Sequence, residues 1–501
     1  MLKKFPFRIF ALLLIGALMG YFWTLKIVPP AQEVSGYMPA CLIIGDVHQA
    51  FALDSMETFT PVELNYKGEY FQGIPLADLV QHAEPVTAEF ELLLIGQDGL
   101  SAQFNGDKLE GCHLTFTVKN GWEAINLNHP VSSNIKRLEK IIVMAQEPVP
   151  EYGVNLITPT QNLRTLMPGR IYRQAMTTIP YFEGTSTVTQ AEGEYSVSVY
   201  SRRTMFPLQD LLPEITVEKL IAMGREGEYA YIDAEGFLEL NEKENAFHYV
   251  SGHREGEIKN LAGIIINPPA RSITDLFHDT LYYLDHGENV LILYLDGFGY
   301  HQYLHAKEAG YAPFMAALPA AEPALAVYQP VTNAGFAAMI TGKTPAENGV
   351  YSRAQKDLKV PSIFGVAQEH GKKAALIEGH IKILNTEIEP ALNIDLNKDG
   401  LTDDEIFASA KTALEQDYDL LLVHFHSIDD LGHSNGDLHE NTLKQIQVVD
   451  EYVQELVTNW NGKVFILSDH GMHATEEAGN HGVFRYEDLI IPYIVAQGGQ
   501  S

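Results

Sequence analysis

Residues 289–299 read NVLILYLDGFG, an unbroken apolar run that ends in Asp296 and two glycines flanking Phe298. A run this short and continuous is the pattern of a strand buried on both faces, as in a sheet covered by helices. Two further runs repeat it. Residues 418–426, YDLLLVHFH, end just short of Asp429, and residues 463–468, KVFILS, end in Asp469-His470-Gly471. From about residue 271 onward such runs alternate with helical patterns. This predicts an α/β domain whose sheet is mostly parallel, with helices on both faces. In open α/β sheets, ligands bind past the carboxyl ends of the strands. All three runs deliver acidic or imidazole side chains to that edge.

One aspartate after a strand is commonly a turn residue or a helix N-cap. The whole set is more specific. Asp296, Asp429, His433, Asp469, His470 and His481 offer three carboxylates and three imidazoles, which suit zinc and other borderline divalent metals. Two such metals about 3.5–4 Å apart can clamp the attacking and leaving oxygens of an in-line displacement.

The order of these residues resembles the alkaline phosphatase superfamily, and most of all its nucleotide pyrophosphatase/phosphodiesterase branch. The motifs are Asp296-Gly297, Thr332 nine residues before Thr341-Gly342, Asp429-x-x-Gly432-His433, Ser468-Asp469-His470-Gly471-Met472 and Gly479-Asn480-His481-Gly482. They span about residues 290–482. The resemblance implies a two-metal hydrolase, with zinc the expected metal and manganese the alternative. Asp429, His433 and His481 would hold one metal; Asp296, Asp469, His470 and the Thr332 oxygen would hold the other. Thr332 would be the nucleophile, passing through a phospho-threonine intermediate on phosphodiester or pyrophosphate substrates. Phosphomonoester or phosphonate hydrolysis is the alternative on the same fold. A free threonine hydroxyl is a poor nucleophile near neutral pH, and metal coordination can activate it. Thr332 also opens a predicted helix, residues 333–340, whose N-terminus favours a phosphate. Asn333 is expected to add an amide donor to a phosphoryl oxygen.

There are departures from the family pattern. Gly335 stands where the phosphodiesterase branch commonly has Asn, and Asn348 where relatives often have His. No Cys-x-Pro-x-Arg sulfatase signature is present. The stretch between Thr332 and Asp429 is too short for the cap domain of the phosphoglycerate mutase branch. His424, His426 and His473 match no ligand position and are expected to pack or to make outer hydrogen bonds.

A second metal motif is incomplete. Asp395, Asn397, Asp399 and Asp403 have the spacing of an EF-hand calcium loop, but Ile406 occupies the place of the bidentate glutamate. The competing reading is a plain turn before a helix.

The first half of the chain reads as one unit written twice. IPLADLV (residues 74–80) returns as FPLQDLL (206–212), and IKRLEKIIV (135–143) as IKNLAGIII (258–266). Between these landmarks, Gln97-Asp98-Gly99 is matched to Ala234-Glu235-Gly236. Conserved order with loop-sized differences in spacing suggests duplication of a strand-rich α+β module. The phrase YKGEYFQGIPLADL (66–79) also resembles the small module of sulfite-oxidase-like molybdopterin proteins, but no Cys stands as a molybdenum ligand and no cofactor is carried over. The modules read as binding units or as a stalk. The former makes a surface binding protein with a relic hydrolase domain the competing function.

Residues 9–25, IFALLLIGALMGYFWTL, are uncharged after a basic start at Lys3, Lys4 and Arg8. Their length is at the low end for a bilayer span. Bulky aromatics rather than small residues close the run, which favours an uncleaved signal anchor over a signal peptide. Both readings place the rest of the chain outside the cytoplasm. Lys plus Arg number 34 against 65 Asp plus Glu, for a net charge of -31. Such a surface repels nucleic acid, so no nucleic-acid partner is expected. The expected substrate is a phosphoester, either a small molecule or a surface polymer. Cys41 and Cys112 are the two cysteines, and in an oxidising compartment they could pair. The expected organisation is 1–30 anchor or signal, 38–150 and 151–270 repeat modules, and 271–501 catalytic domain.

Overall fold

The computed structural model describes residues 38–252 and 256–499. The expected anchor, residues 9–25, lies outside the described residues. Among those described, no helix is long and apolar enough to cross a membrane.

The C-terminal domain is built on an eight-stranded sheet. Its strands are β1 (Arg271–Ser272), β2 (Val290–Leu295), β3 (Glu322–Leu325), β4 (Ala374–Glu378), β5 (Ala391–Leu392), β6 (Leu420–Phe425), β7 (Lys463–Leu467) and β8 (Ile490–Gln497). Their spatial order is β1-β3-β8-β7-β2-β6-β4-β5. β2 lies parallel to both β6 and β7, while β8 runs antiparallel to β3 and β7. The sheet is therefore mostly parallel, as the apolar runs predict. Strand periodicity splits β2 between two cores. Val290, Ile292 and Tyr294 face one core, and Leu291, Leu293 and Leu295 face the other. The first core takes helices α1 (Asp275–Asp285) and α3 (Thr332–Thr341). The second takes α2 (Tyr300–Ala309), α4 (Asp403–Leu414) and α6 (Glu440–Asn459). Helix α5 (Ser427–Asn435) follows β6 directly.

The two N-terminal modules share one strand order. In the first, Cys41–Gly45 pairs antiparallel with Phe51–Leu53 and parallel with Leu138–Ala145, and Phe90–Gly96 and Ser101–Asn105 continue the sheet. In the second, Val154–Thr158 pairs with Gln161–Leu166 and Leu261–Ile266 in the same senses, followed by Leu220–Gly224 and Tyr229–Ile232. Pro75 and Pro207 each precede a short helix, Leu76–Ala83 and Leu208–Leu211.

The structure corrects the matched turn. The counterpart of Gly96-Gln97-Asp98-Gly99 is Gly224-Arg225-Glu226-Gly227, not residues 234–236. Gly99 N donates to Gly96 O at 2.9 Å, and Gly227 N to Gly224 O at 3.1 Å. Gln97 N donates to Arg137 O and Arg225 N to Asn260 O, and both acceptor residues have positive φ. Glu235-Gly236 instead leads into Phe237–Asn241, in the module's other sheet.

The second module is not a separate stalk segment. Alternate residues of its first sheet, Leu156, Ala222 and Ile264, fill its own core, while Ile157, Ile221 and Ile265 join the core of the catalytic domain. Cys41 and Cys112 are both buried in the first module's core and are free thiols.

Candidate metal centre and nucleophile

Three neighbouring strands, β7, β2 and β6, bring the site together at their carboxyl ends. Asp296 follows β2, and Asp469 and His470 follow β7. Asp429 and His433 sit four residues apart on α5, so they share one helix face. His481 follows a two-stranded ribbon, His473–Ala474 with Gly479–Asn480. Gly297 has φ +69, and a Cβ there would lie 2.7 Å from Asp429 Oδ1. Its missing side chain lets α5 close on the end of β2.

Within the site, acceptors face acceptors. His470 donates Nδ1–H to Gly471 O at 3.0 Å, so its Nε2 carries a lone pair. That nitrogen lies 3.1 Å from Asp469 Oδ2 and 3.6 Å from Asp296 Oδ1. His481 likewise donates Nδ1–H to Pro330 O at 2.8 Å, and its bare Nε2 lies 3.7 Å from Asp429 Oδ1. His433 Nε2 is 3.4 Å from Asp429 Oδ2. Asp296 Oδ1, Asp429 Oδ1, Asp469 Oδ2 and His470 Nε2 are all buried without a hydrogen-bond donor. Buried polar atoms are seldom left so, and a divalent cation among these converging lone pairs would partner them. Asp296, Asp469 and His470 bring ligand atoms within 4.8 Å of one another, as do Asp429, His470 and His481. The donor set fits divalent metals.

Burial and charge shape the ionisation of the set. Burial pushes Asp469 well above the usual carboxylate range, and the charges of Asp296 and Asp429 add to it. Asp429 moves the same way, by burial and by Asp296 and Asp430. Asp296 is the exception. Burial again pushes it up, but hydrogen bonds from His424 and His426 outweigh this and hold it well below that range. Burial lowers His470 to about 4 and His481 to about 2, which keeps both rings neutral and able to ligate.

His424 and His426 act as outer partners, as expected. His424 Nε2 lies 3.0 Å from Asp296 Oδ2 and His426 Nδ1 lies 3.4 Å from it. His424 stacks on Tyr294 with ring centroids 3.7 Å apart. Asp296, His424 and His426 also form a compact group of potential ligands. His473 is turned elsewhere, to Asp488 Oδ1 at 2.7 Å.

Thr332 is the first residue of α3, with Val331 in extended conformation before it. Gly335 explains how this helix reaches the metal ligands. A Cβ there would come 2.5 Å from Asp469 O and 2.7 Å from Asp469 Cβ, so no side chain fits, asparagine included. Asn333 does not serve as the expected amide donor. Its Nδ2 donates to Gln355 O at 3.1 Å and Ile383 O at 3.2 Å, which occupies both amide hydrogens. Asn348 is fully buried and ties its own turn, bonding Lys343 O and Val350 N.

Two residues at the site carry no sequence motif. Arg353 places Nη2 2.7 Å from His481 Nε2; its charge opposes the rise at Asp429 and adds to the lowering of His470 and His481. Glu378, fully buried at the end of β4, places Oε1 3.7 Å from His424 Nδ1. Glu378 had a signal that motif matching passes over, because it too is an acid ending a buried strand.

The calcium reading is corrected at Asp403. That carboxylate is buried and accepts from His426 N at 2.8 Å and from Ser427, away from the loop. Asp395, Asn397 and Asp399 instead cap loop amides. Lys398 N and Gly400 N donate to Asp395, Asp399 N to Asn397, and Leu401 N to Asp399. The spacing makes turns before α4.

Residues 290–492 match the family model described as type I phosphodiesterase / nucleotide pyrophosphatase. The similarity is confined to the catalytic half of the chain, about two fifths of its length. No curated protein matches the chain. Among solved structures, it is similar to a phosphonoacetate hydrolase from Sinorhizobium meliloti 1021 in complex with phosphonoformate. Identity is 19%, over 37% of this chain and 56% of that one, with a TM-score of 0.30. It is also similar to murine ectonucleotide pyrophosphatase/phosphodiesterase 5, at 16% identity over 38% of this chain and 59% of that one, with a TM-score of 0.31. The match spans less than two thirds of either structure.

Proposed function

We propose that the phosphodiesterase-family domain is a two-metal phosphohydrolase that works through Thr332 on phosphodiester or pyrophosphate bonds. The observation that carries this reading is the convergence of unpaired lone pairs from Asp296, Asp429, Asp469 and His470 beside the helix that Thr332 opens. Asp296, Asp469 and His470 would hold one divalent ion, together with the Thr332 oxygen; Asp429, His433 and His481 would hold the other. Such ions, zinc or manganese, supply Lewis acidity that activates hydroxyl groups and offsets phosphoryl charge. Thr332 Oγ1 would attack phosphorus, passing its proton to solvent, as the bond to the leaving oxygen breaks and that oxygen takes up a proton. Water cleaves the phospho-threonine in a second displacement and restores the hydroxyl. The backbone amides opening α3 face the transferring group and favour its negative charge.

One observation favours a second reading. The Arg353 guanidinium beside His481 suits a terminal, doubly charged phosphoryl group, as in a monoester or phosphonate. We further propose the division into modules 38–150 and 151–270 and a catalytic domain 271–501, with residues 9–25 anchoring it outside the cytoplasm.

The test is hydrolysis of bis(p-nitrophenyl) phosphate against p-nitrophenyl phosphate, with zinc or manganese, by wild type and Thr332→Ala. Metal-dependent diester turnover lost in Thr332→Ala supports the first reading. Faster monoester turnover moves the enzyme to the second. Absence of both turnover and bound metal overturns both.

A further inference from the structure

A cleft of about 690 Å³, lined by none of the candidate metal ligands, lies between the second module and the catalytic domain. Its walls come from the hairpin Val154–Thr158 with Gln161–Leu166, the turn Arg170–Arg173, and Phe484 and Arg485 of the catalytic domain. Arg164, Arg170, Arg173 and Arg485 line it, and no Asp or Glu does. This is unlike the rest of a chain that carries 65 acidic against 34 basic residues.

The four guanidinium groups are unequally matched. Arg173 pairs with Glu91 at 2.6 Å and Arg485 with Glu487 at 3.3 Å. Arg164 donates to Leu211 O at 3.3 Å and Arg170 to Gln146 O at 3.0 Å, both neutral backbone acceptors. Asp46, whose carboxyl feels the charge of Arg170, commits its two oxygens to the amides of Ala145 and Gly169. Among the described residues, Arg164 and Arg170 thus make no salt bridge, and their forks keep donors for the cleft. Like charges lining one half-enclosed space repel unless an anion joins them.

We propose that this cleft binds a small oxyanion bearing two or more phosphate groups, at a site separate from the catalytic centre. Phosphate oxygens match the planar fork of arginine in charge and geometry. The volume falls in the range of small-molecule sites, roughly 300–1,000 Å³. Several phosphates in one ligand engage several forks at once, which a single phosphate cannot. The wall residues Phe484 and Arg485 lie on the segment that carries His481, so a ligand here contacts the loop that supplies a metal ligand. The site does not depend on the catalytic reading.

The experiment is calorimetric titration of the metal-free full chain with sodium tripolyphosphate. Removing metal prevents the probe from binding through the catalytic ions. Wild type should bind saturably. The double variant Arg164→Ala/Arg170→Ala should bind about tenfold or more weakly, while keeping its circular dichroism and melting temperature. Arg164→Lys/Arg170→Lys, which keeps the charge but loses the fork, should fall between. Arg353→Ala should bind as wild type does. Absence of saturable binding by wild type overturns the proposal. So does equal affinity in the double alanine variant, or a loss in Arg353→Ala as large as in that variant, which would place the probe in the catalytic site.

Discussion

Arg353 Nη2 lies 2.7 Å from Nε2 of His481, the same lone pair that a metal ion would occupy. The other ring nitrogen is already committed to Pro330 O. A cation on His481 would displace the guanidinium from that lone pair and free its donors for a phosphoryl group. Hydrogen bonds to charged groups are worth about 1.5–3 kcal/mol. Arg353→Ala should lower kcat/KM by roughly 10- to 100-fold on p-nitrophenyl phosphate, and by less on bis(p-nitrophenyl) phosphate. Equal losses on both substrates would show that Arg353 does not read the charge of the phosphoryl group.

Gly335 lets α3 touch Asp469. In Gly335→Ala the new methyl group would lie 2.5 Å from Asp469 O. Overpacking of this kind costs about 1–3 kcal/mol, and a displacement of 1 Å in a catalytic group can cost about 100-fold in rate. The variant should stay folded, with Tm lowered by a few degrees, while kcat falls at least about tenfold. Unchanged kcat would mean that the helix position does not set the nucleophile.

Metal removal should destabilise the catalytic domain, because the buried carboxylates then face one another uncompensated. A ligand present at about 1,000 times its Kd stabilises the native state by about 4 kcal/mol. A chelator should lower Tm, and restoring zinc or manganese should recover it. Asp469→Asn should reduce that difference. A Tm indifferent to chelator in metal-loaded protein would count against a buried metal pair.

Asp46 should make stability depend on pH. Burial pushes its carboxyl up to about 6, despite the Gly169 and Ala145 amides and Arg170. The folded pKa lies above the unfolded one, so the contribution is full below about pH 4 and is lost as pH rises through 6. The shift corresponds to about 3 kcal/mol. Asp46→Asn should therefore gain about 3 kcal/mol on wild type between about pH 4 and pH 7.5, read from denaturant midpoints. A pH-independent difference would show that folding leaves this carboxyl unshifted.

The candidate metal centre was legible because its signals are local. An apolar run marks a buried strand, and the residue that ends it lies at the sheet's carboxyl edge wherever the strand goes. Asp296, Asp469 and His470 follow from that rule, and Asp429 and His433 from the Asp429-x-x-Gly432-His433 motif. Asp403 illustrates the limit. Its spacing fits a calcium loop, but it opens α4 and turns inward to His426 and Ser427. Loop spacing does not fix the direction of a side chain.

The sequence by itself determined the α/β class of the catalytic domain, the order of its candidate ligands and the likeness of two N-terminal segments, because periodicity and motif order are properties of the chain. Tertiary structure alone decided that Arg353 meets His481, that Asn333 bonds backbone carbonyls, that residues 224–227 form the second copy of the turn, and that the second module shares a core with the catalytic domain. Each depends on groups far apart in sequence that meet only when sheets and loops pack. The sign and reach of those contacts are set by burial and distance, which no linear pattern encodes.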